Sequence, residues 1–172
     1  MAAPADTFDL GRLRLTSGEG RKLDLETRID PVRLGEDEYA VTPELVPVRL
    51  DVSRTTGEGY ALRLRFTAGV EGPCMRCLAP AAPTFEVDAR EIFQPGRGED
   101  LESPYVADEE LRLGDWARDA LVLALPPALL CRPDCAGLCA ECGQDLNTAG
   151  PEHFHEKAPD PRWSALRDLN LN

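Results

Sequence analysis

Two stretches near the middle of the chain alternate apolar and other side chains with a period of two: Val46, Val48, Leu50 and Val52, then Tyr60, Leu62, Leu64 and Phe66. Thr55-Thr56-Gly57-Glu58-Gly59 joins them. Successive strand side chains point to opposite faces, so the pattern predicts an antiparallel hairpin with one buried face. A third run, Phe85, Val87 and Ala89, extends the sheet, and its change of phase at Ile92 and Phe93 suggests a bulge. The start of the chain supports two readings. Leu13 and Leu15 alternate on one side of Ser17-Gly18-Glu19-Gly20 and Leu23 and Leu25 on the other, as in a hairpin, while Phe8, Leu10 and Leu13 are spaced as a short helical turn.

Period 3.6 takes over later. A helix is expected over about residues 116–125, with Asp115 capping the first turn of Trp116 to Leu125 and Pro126-Pro127 ending it; its apolar character predicts packing on the sheet. A second helix is expected over about 161–169, with Asp160 as cap, Pro161 in the first position, and Trp163, Leu166 and Leu169 on the face that docks back on the body. Between sheet and first helix, Gln94 to Glu110 reads as a loop without assigned chemistry. The fold class expected is α+β: a small antiparallel β-sheet or partial barrel with a packed helix and a C-terminal zinc-knuckle-like cysteine module. The β-rich body would span 1–125 and the module 126–172.

Composition adjusts this picture in two ways. The 15 prolines and 14 glycines among 172 residues favour short elements and many turns. The segment Met1 to Gly11 carries acids and no basic region, and the longest apolar run, Ala120 to Cys131, is broken by Pro126 and Pro127 well short of the roughly 20 residues that cross a bilayer. A cytoplasmic chain with no membrane association is expected. The net charge is −12, and residues 70–110 hold 10 acidic against 3 basic side chains. So acidic a chain repels a phosphate backbone at long range, which disfavours a broad nucleic-acid-binding face and suits a basic protein partner. A solvated surface that aids solubility is the plainer reading of the same acids.

The cysteines carry the candidate chemistry. Cys131, Cys135, Cys139 and Cys142 fall within a dozen residues, and Cys74-Met75-Arg76-Cys77 forms a separate pair. In a reducing compartment such clusters hold metal more often than they form disulfides. Zinc takes four thiolate or imidazole donors at tetrahedral corners, and Cys-x-x-Cys before glycine is a turn that aims two sulfurs at one point. Gly137 and Gly143 supply the backbone freedom such turns need. Three groupings are open. The C-terminal four can close one structural zinc site alone, Cys74 and Cys77 can join Cys139 and Cys142, or Cys131 and Cys135 can complete the middle pair. Loop-closure entropy favours the first, since the others span some sixty residues. His153 and His155, in a polar loop, read as solvated side chains rather than ligands. No phosphate-binding glycine loop, nucleophile elbow or His-Glu-x-x-His string occurs, and a site filled by cysteine leaves no position for a reacting water. No catalytic residue and no small-molecule substrate is assigned.

Taken together, Cys74-Met75-Arg76-Cys77-Leu78, Leu123-Ala124-Leu125-Pro126, the string from Asp134-Cys135-Ala136-Gly137-Leu138-Cys139 through Cys142-Gly143-Gln144-Asp145-Leu146-Asn147, and Asp160-Pro161-Arg162-Trp163 resemble the YceD family of large ribosomal RNA subunit accumulation proteins. The resemblance runs from about Phe8 to Leu169 and implies a bacterial cytoplasmic protein, not an enzyme, that supports accumulation of 23S ribosomal RNA. On that reading the partner is a large-subunit ribosomal protein or precursor particle, with Arg132 and Arg76 available to touch RNA. The competing classes are a redox- or zinc-responsive regulator and a metal-dependent RNA-processing enzyme.

Overall fold

A computed structural model describes residues 6–96, 98 and 101–155. Its centre is a long strand. In chain order the elements are β1 (Thr7–Asp9), a 3-10 turn (Gly11–Leu13), β2 (Gly20–Thr27), β3 (Val32–Leu34), β4 (Asp37–Thr42), β5 (Val46–Arg54), β6 (Tyr60–Pro73), β7 (Pro80–Ala81), β8 (Thr84–Phe93), β9 (Val106–Ala107), β10 (Glu110–Arg112) and the helix α1 (Leu113–Ala124).

The expected hairpin is β5–β6, paired antiparallel from Val48↔Phe66 to Arg54↔Tyr60. Strand β6 runs beyond its partner, because its alternation continues through Ala68 and Val70. One edge of β6 is therefore covered first by β5 and then by β4, through Val41↔Val70. The other edge is covered by β8, from Tyr60↔Phe93 to Gly69↔Thr84, and then by β7, through Gly72↔Ala81. The sheet follows the order β2-β5-β6-β4-β3, and no pairing among the described residues closes it into a barrel. A smaller sheet has the order β1-β10-β9.

Four expectations are corrected here. The β6–β8 register is unbroken, so there is no bulge at Ile92 and Phe93: Phe93 packs against the core, and Ile92 is exposed on the opposite face. The N-terminal leucines do not form a hairpin with each other. Leu23 and Leu25 lie opposite Leu50 and Val48 of β5, a longer apolar face, while Gly11–Leu13 form one 3-10 turn. The segment read as an unstructured loop contains β9 and the start of β10, because Val106 and Leu111 are buried on either side of the two-residue turn Asp108-Glu109. Finally, α1 begins at Leu113, and Asp115 lies inside its first turn, 3.0 Å from Arg112, instead of capping it. The strand β10 leads directly into the helix and Leu113 is buried in the core, so the cap falls on Arg112; the orphan amide of Gly114 donates to the carbonyl of Asp6. Asp115 still stands at the positive end of the helix dipole.

The core lies between the inner face of the sheet and α1. Val46, Val48, Leu50 and Val52 of β5 and Leu62, Leu64 and Phe66 of β6 line it with Trp116, Ala117 and Leu121 of the helix. The outer face of the sheet is a ladder of cross-strand ion pairs, Asp24–Arg49, Asp51–Arg65 and Arg63–Asp88, at N–O distances of 3.0, 2.7 and 2.8 Å. Glu109, in the β9–β10 turn, accepts from the Tyr60 hydroxyl at 2.7 Å and from Arg54 at 3.0 Å, tying the two sheets together. The second helix, expected over 161–169, lies outside the described residues.

Candidate metal centre

The length of β6 decides where the first cysteine pair goes. The β6–β7 turn carries Cys74-Met75-Arg76-Cys77 at the far tip of the hairpin, away from the helix-covered core. The turn is closed by the amide of Leu78 donating to the carbonyl of Cys74 at 2.9 Å and the amide of Cys74 donating to Ala79 at 2.8 Å. Leu78 takes φ 61, the left-handed conformation that lets both thiols face one way. After α1 the chain returns to this tip. Leu125 is extended, as a residue before proline must be, and Leu129 is buried in the main core. The Leu129 carbonyl accepts from Met75 N–H at 2.9 Å, which sets Cys131 and Cys135 against the turn.

The result is one cluster of four sulfurs, Cys74, Cys77, Cys131 and Cys135, all within 4.8 Å of one another. Cys77 Sγ is 3.6 Å from Cys131 Sγ and Cys74 Sγ is 3.8 Å from Cys135 Sγ. Those separations far exceed a disulfide bond and match the roughly 3.8 Å edge of a tetrahedron of thiolates about 2.3 Å from a zinc ion. Cys74, Cys77 and Cys135 are buried and Cys131 is exposed. Burial pushes the Cys74 thiol up, but the amide N–H groups of Arg76, Cys77 and Cys131 outweigh it and bring it down to about 6. Cys131 is pushed up to about 12 by desolvation of its sulfur and then by the neighbouring sulfurs of Cys77, Cys135 and Cys74. One thiolate forms readily and the last is strongly opposed, the conflict that a divalent cation removes.

Side chains around the sulfurs hold the arrangement. Arg76 donates to the Cys135 carbonyl at 3.0 Å, and the amide of Leu138 donates to the Arg76 carbonyl at 3.0 Å. Gly137 passes so close that an added Cβ would lie 3.1 Å from the Arg76 carbonyl oxygen, at a φ of +80. Asn147 reaches in from further along the chain. Its Nδ2 lies 3.6 Å from Cys135 Sγ, and its Oδ1 accepts from Ala136 N–H and from Arg132, both at 2.8 Å. Arg132 also pairs with Asp134 at 3.3 Å.

The four C-terminal cysteines do not gather at one point here: Cys131 and Cys135 lie with Cys74 and Cys77, the arrangement in which they complete the middle pair. Loop-closure entropy opposes a long-range site only where the metal itself must close the loop. Leu129 in the main core and the β6–β7 hairpin bring the two ends together without that help.

Cys139 and Cys142 turn instead toward His153 and His155, whose ligand atoms also gather within 4.8 Å. From sequence alone both histidines read as solvated side chains. The signal for them is the second Cys-x-x-Cys pair, here before Gly143, followed within about a dozen residues by His-x-His, a spacing suited to a four-ligand site. Two groups of four donors, each of which could hold a metal ion, thus occur in an antiparallel β protein with a single described helix.

That class acquires a family through comparison. Residues 62–170 match the model of the large ribosomal RNA subunit accumulation protein YceD, and the chain belongs to that family. Uncharacterized proteins of Mycobacterium bovis and Mycobacterium tuberculosis are each 34% identical over 170 residues, covering 95% of this chain and 80% of theirs. One of Mycobacterium leprae is 32% identical over 130 residues, 72% of this chain and 59% of its own. No solved structure matches the chain. No helix among the described residues is long and apolar enough to cross a membrane.

Proposed function

We propose that this chain is a cytoplasmic, non-enzymatic factor that supports accumulation of 23S ribosomal RNA and assembly of the large ribosomal subunit, with a structural zinc ion on Cys74, Cys77, Cys131 and Cys135. The family match carries the reading, since it spans both halves of the four-cysteine cluster. A filled set of thiolates has no open position for water or substrate, which favours a structural over a catalytic role. The ion pins the segment after α1 to the tip of the β6–β7 hairpin and so presents a composite surface made from two distant parts of the chain.

The partner is a basic large-subunit ribosomal protein or the precursor particle that contains it. Glu36, Asp37 and Glu38 around the β3–β4 turn and Glu71 on β6 are exposed, whereas Arg49, Arg63 and Arg65 on the outer face of the sheet are engaged with acids. The accessible field is therefore negative, which speeds encounter with a cationic partner and weakens with salt. Contact with RNA would fall to Arg132, exposed beside the cluster. Affinity capture of the tagged full chain from its bacterial host at low salt tests this. A large-subunit protein or precursor particle is expected, lost as salt rises; capture of neither rejects the proposal.

A further inference from the structure

We propose that the chain binds a second zinc ion, on Cys139, Cys142, His153 and His155, independent of the four-cysteine site and of any ribosomal role. The backbone of the second turn repeats that of the first. The amide of Gly143 donates to the Cys139 carbonyl at 2.9 Å, as Leu78 does to Cys74, and Gly143 takes φ 73 where Leu78 takes 61. The Cys139 amide donates to the Gln144 carbonyl at 2.8 Å, and Leu138 bridges to Asp145. Both turns thus present two sulfurs on one side, and the second has two imidazoles opposite it.

The histidines are set as ligands. His155 Nδ1 lies 3.5 Å from a Glu141 carboxylate oxygen, while its Nε2 is buried with no hydrogen-bond partner among the described residues. A buried ring nitrogen left unpaired costs free energy unless something else meets its lone pair. A carboxylate on one imidazole nitrogen with a metal on the other is the recurrent way a zinc-bound histidine is oriented. His153 Nε2 is 3.8 Å from Cys142 Sγ, and its ring meets that of His155 edge to face, 4.8 Å between centroids at 83°. Two rings so inclined direct nitrogens toward a common point from different sides. Two thiols and two imidazoles with their donor atoms within 4.8 Å of one another suit zinc over magnesium or calcium, which take oxygen.

The segment also lacks another source of order. Among the described residues 139–155 there is no regular strand or helix, Phe154 is largely exposed, and the apolar cluster at this end consists of Ala81, Leu130 and Leu138 around Cys74, Cys77 and Cys135. A stretch with so little apolar surface to bury gains its fixed shape from metal binding.

Native mass spectrometry of the reduced full chain, loaded with zinc and desalted, counts the ions. Two per chain are expected. His153→Ala/His155→Ala should hold one, Cys74→Ser/Cys77→Ser should also hold one, and His155→Cys, which restores a donor, should hold two. Cobalt substitution of the Cys74→Ser/Cys77→Ser variant should give a tetrahedral spectrum with thiolate charge transfer, which identifies the remaining set as sulfur-bearing. Circular dichroism of each variant checks that the sheet persists. One ion in the unaltered chain overturns the proposal, as does retention of two ions, or loss of both, by the histidine variant with its sheet intact.

Discussion

Replacing Cys77 and Cys131 together by serine removes two sulfurs 3.6 Å apart and leaves an incomplete donor set of Cys74 and Cys135. The zinc ion proposed there cross-links residues 54 apart in sequence. Because Leu129 and the β6–β7 hairpin already hold the two ends together, the ion fixes only the segment beyond Leu129; counted as a covalent loop of roughly 15 residues this is worth about 3 kcal/mol, or on the order of a hundredfold in the equilibrium for local opening. What remains after substitution is the Met75–Leu129 and Arg76–Leu138 backbone bonds and the Arg76 contact to Cys135, together worth only a few kcal/mol. The main core contains no cysteine, and its residues form a cluster separate from the one around the sulfurs. Opening should therefore be local. Hydrogen exchange read by mass spectrometry is expected to show residues 130–138 losing protection by up to ~10²-fold, with 46–70 unchanged. Unchanged protection in 130–138 would refute the cross-link, and equal loss in β5 and β6 would refute the separation of the two clusters.

Three further outcomes follow from single contacts. Asn147→Leu removes the amide that faces Cys135 Sγ and should weaken zinc at the four-cysteine site by about 10–100-fold in competition with a chelating dye, with the second site unaffected. Gly72→Ala would place a Cβ 2.6 Å from Cε1 of Tyr39, a fully buried ring whose hydroxyl donates to the Pro73 carbonyl, and should cost about 1–3 kcal/mol in denaturant unfolding. Tyr60, pushed up to about 12 by burial and then by its bond to Glu109, stabilises the fold below the ordinary tyrosine value near 10 and loses that contribution as pH rises through 12. The alkaline fall in stability across that window should shrink by about 2 kcal/mol in Tyr60→Phe.

The sheet was legible because β5 and β6 bury one face and expose the other, so period-two alternation survives unaltered. The helix was legible for the same reason, except at its start, where burial of Leu113 overrode the local capping preference of Asp115. Short strands were hidden. Val106 and Leu111 offer too few alternating positions to mark a strand, and their order depends on Leu111 pairing with Phe8 of β1, about a hundred residues away in sequence. The cysteines were legible as candidate ligands by type and spacing, but which of them gather was not, because that depends on how far β6 extends and on where Leu129 is anchored. Asn147 and Glu141 could not be singled out, since an amide or a carboxylate near cysteines acquires its role only when the fold aims it.

The most direct test of the account is the ratio of 23S to 16S ribosomal RNA in a bacterial strain depleted of the chain and complemented in turn with the unaltered protein and with Cys74→Ser/Cys77→Ser. Depletion is expected to lower the ratio, the unaltered chain to restore it, and the variant, present at equal level, not to. A ratio unmoved by depletion would contradict the ribosomal role, and full rescue by the variant would contradict the place given to the four-cysteine site within it.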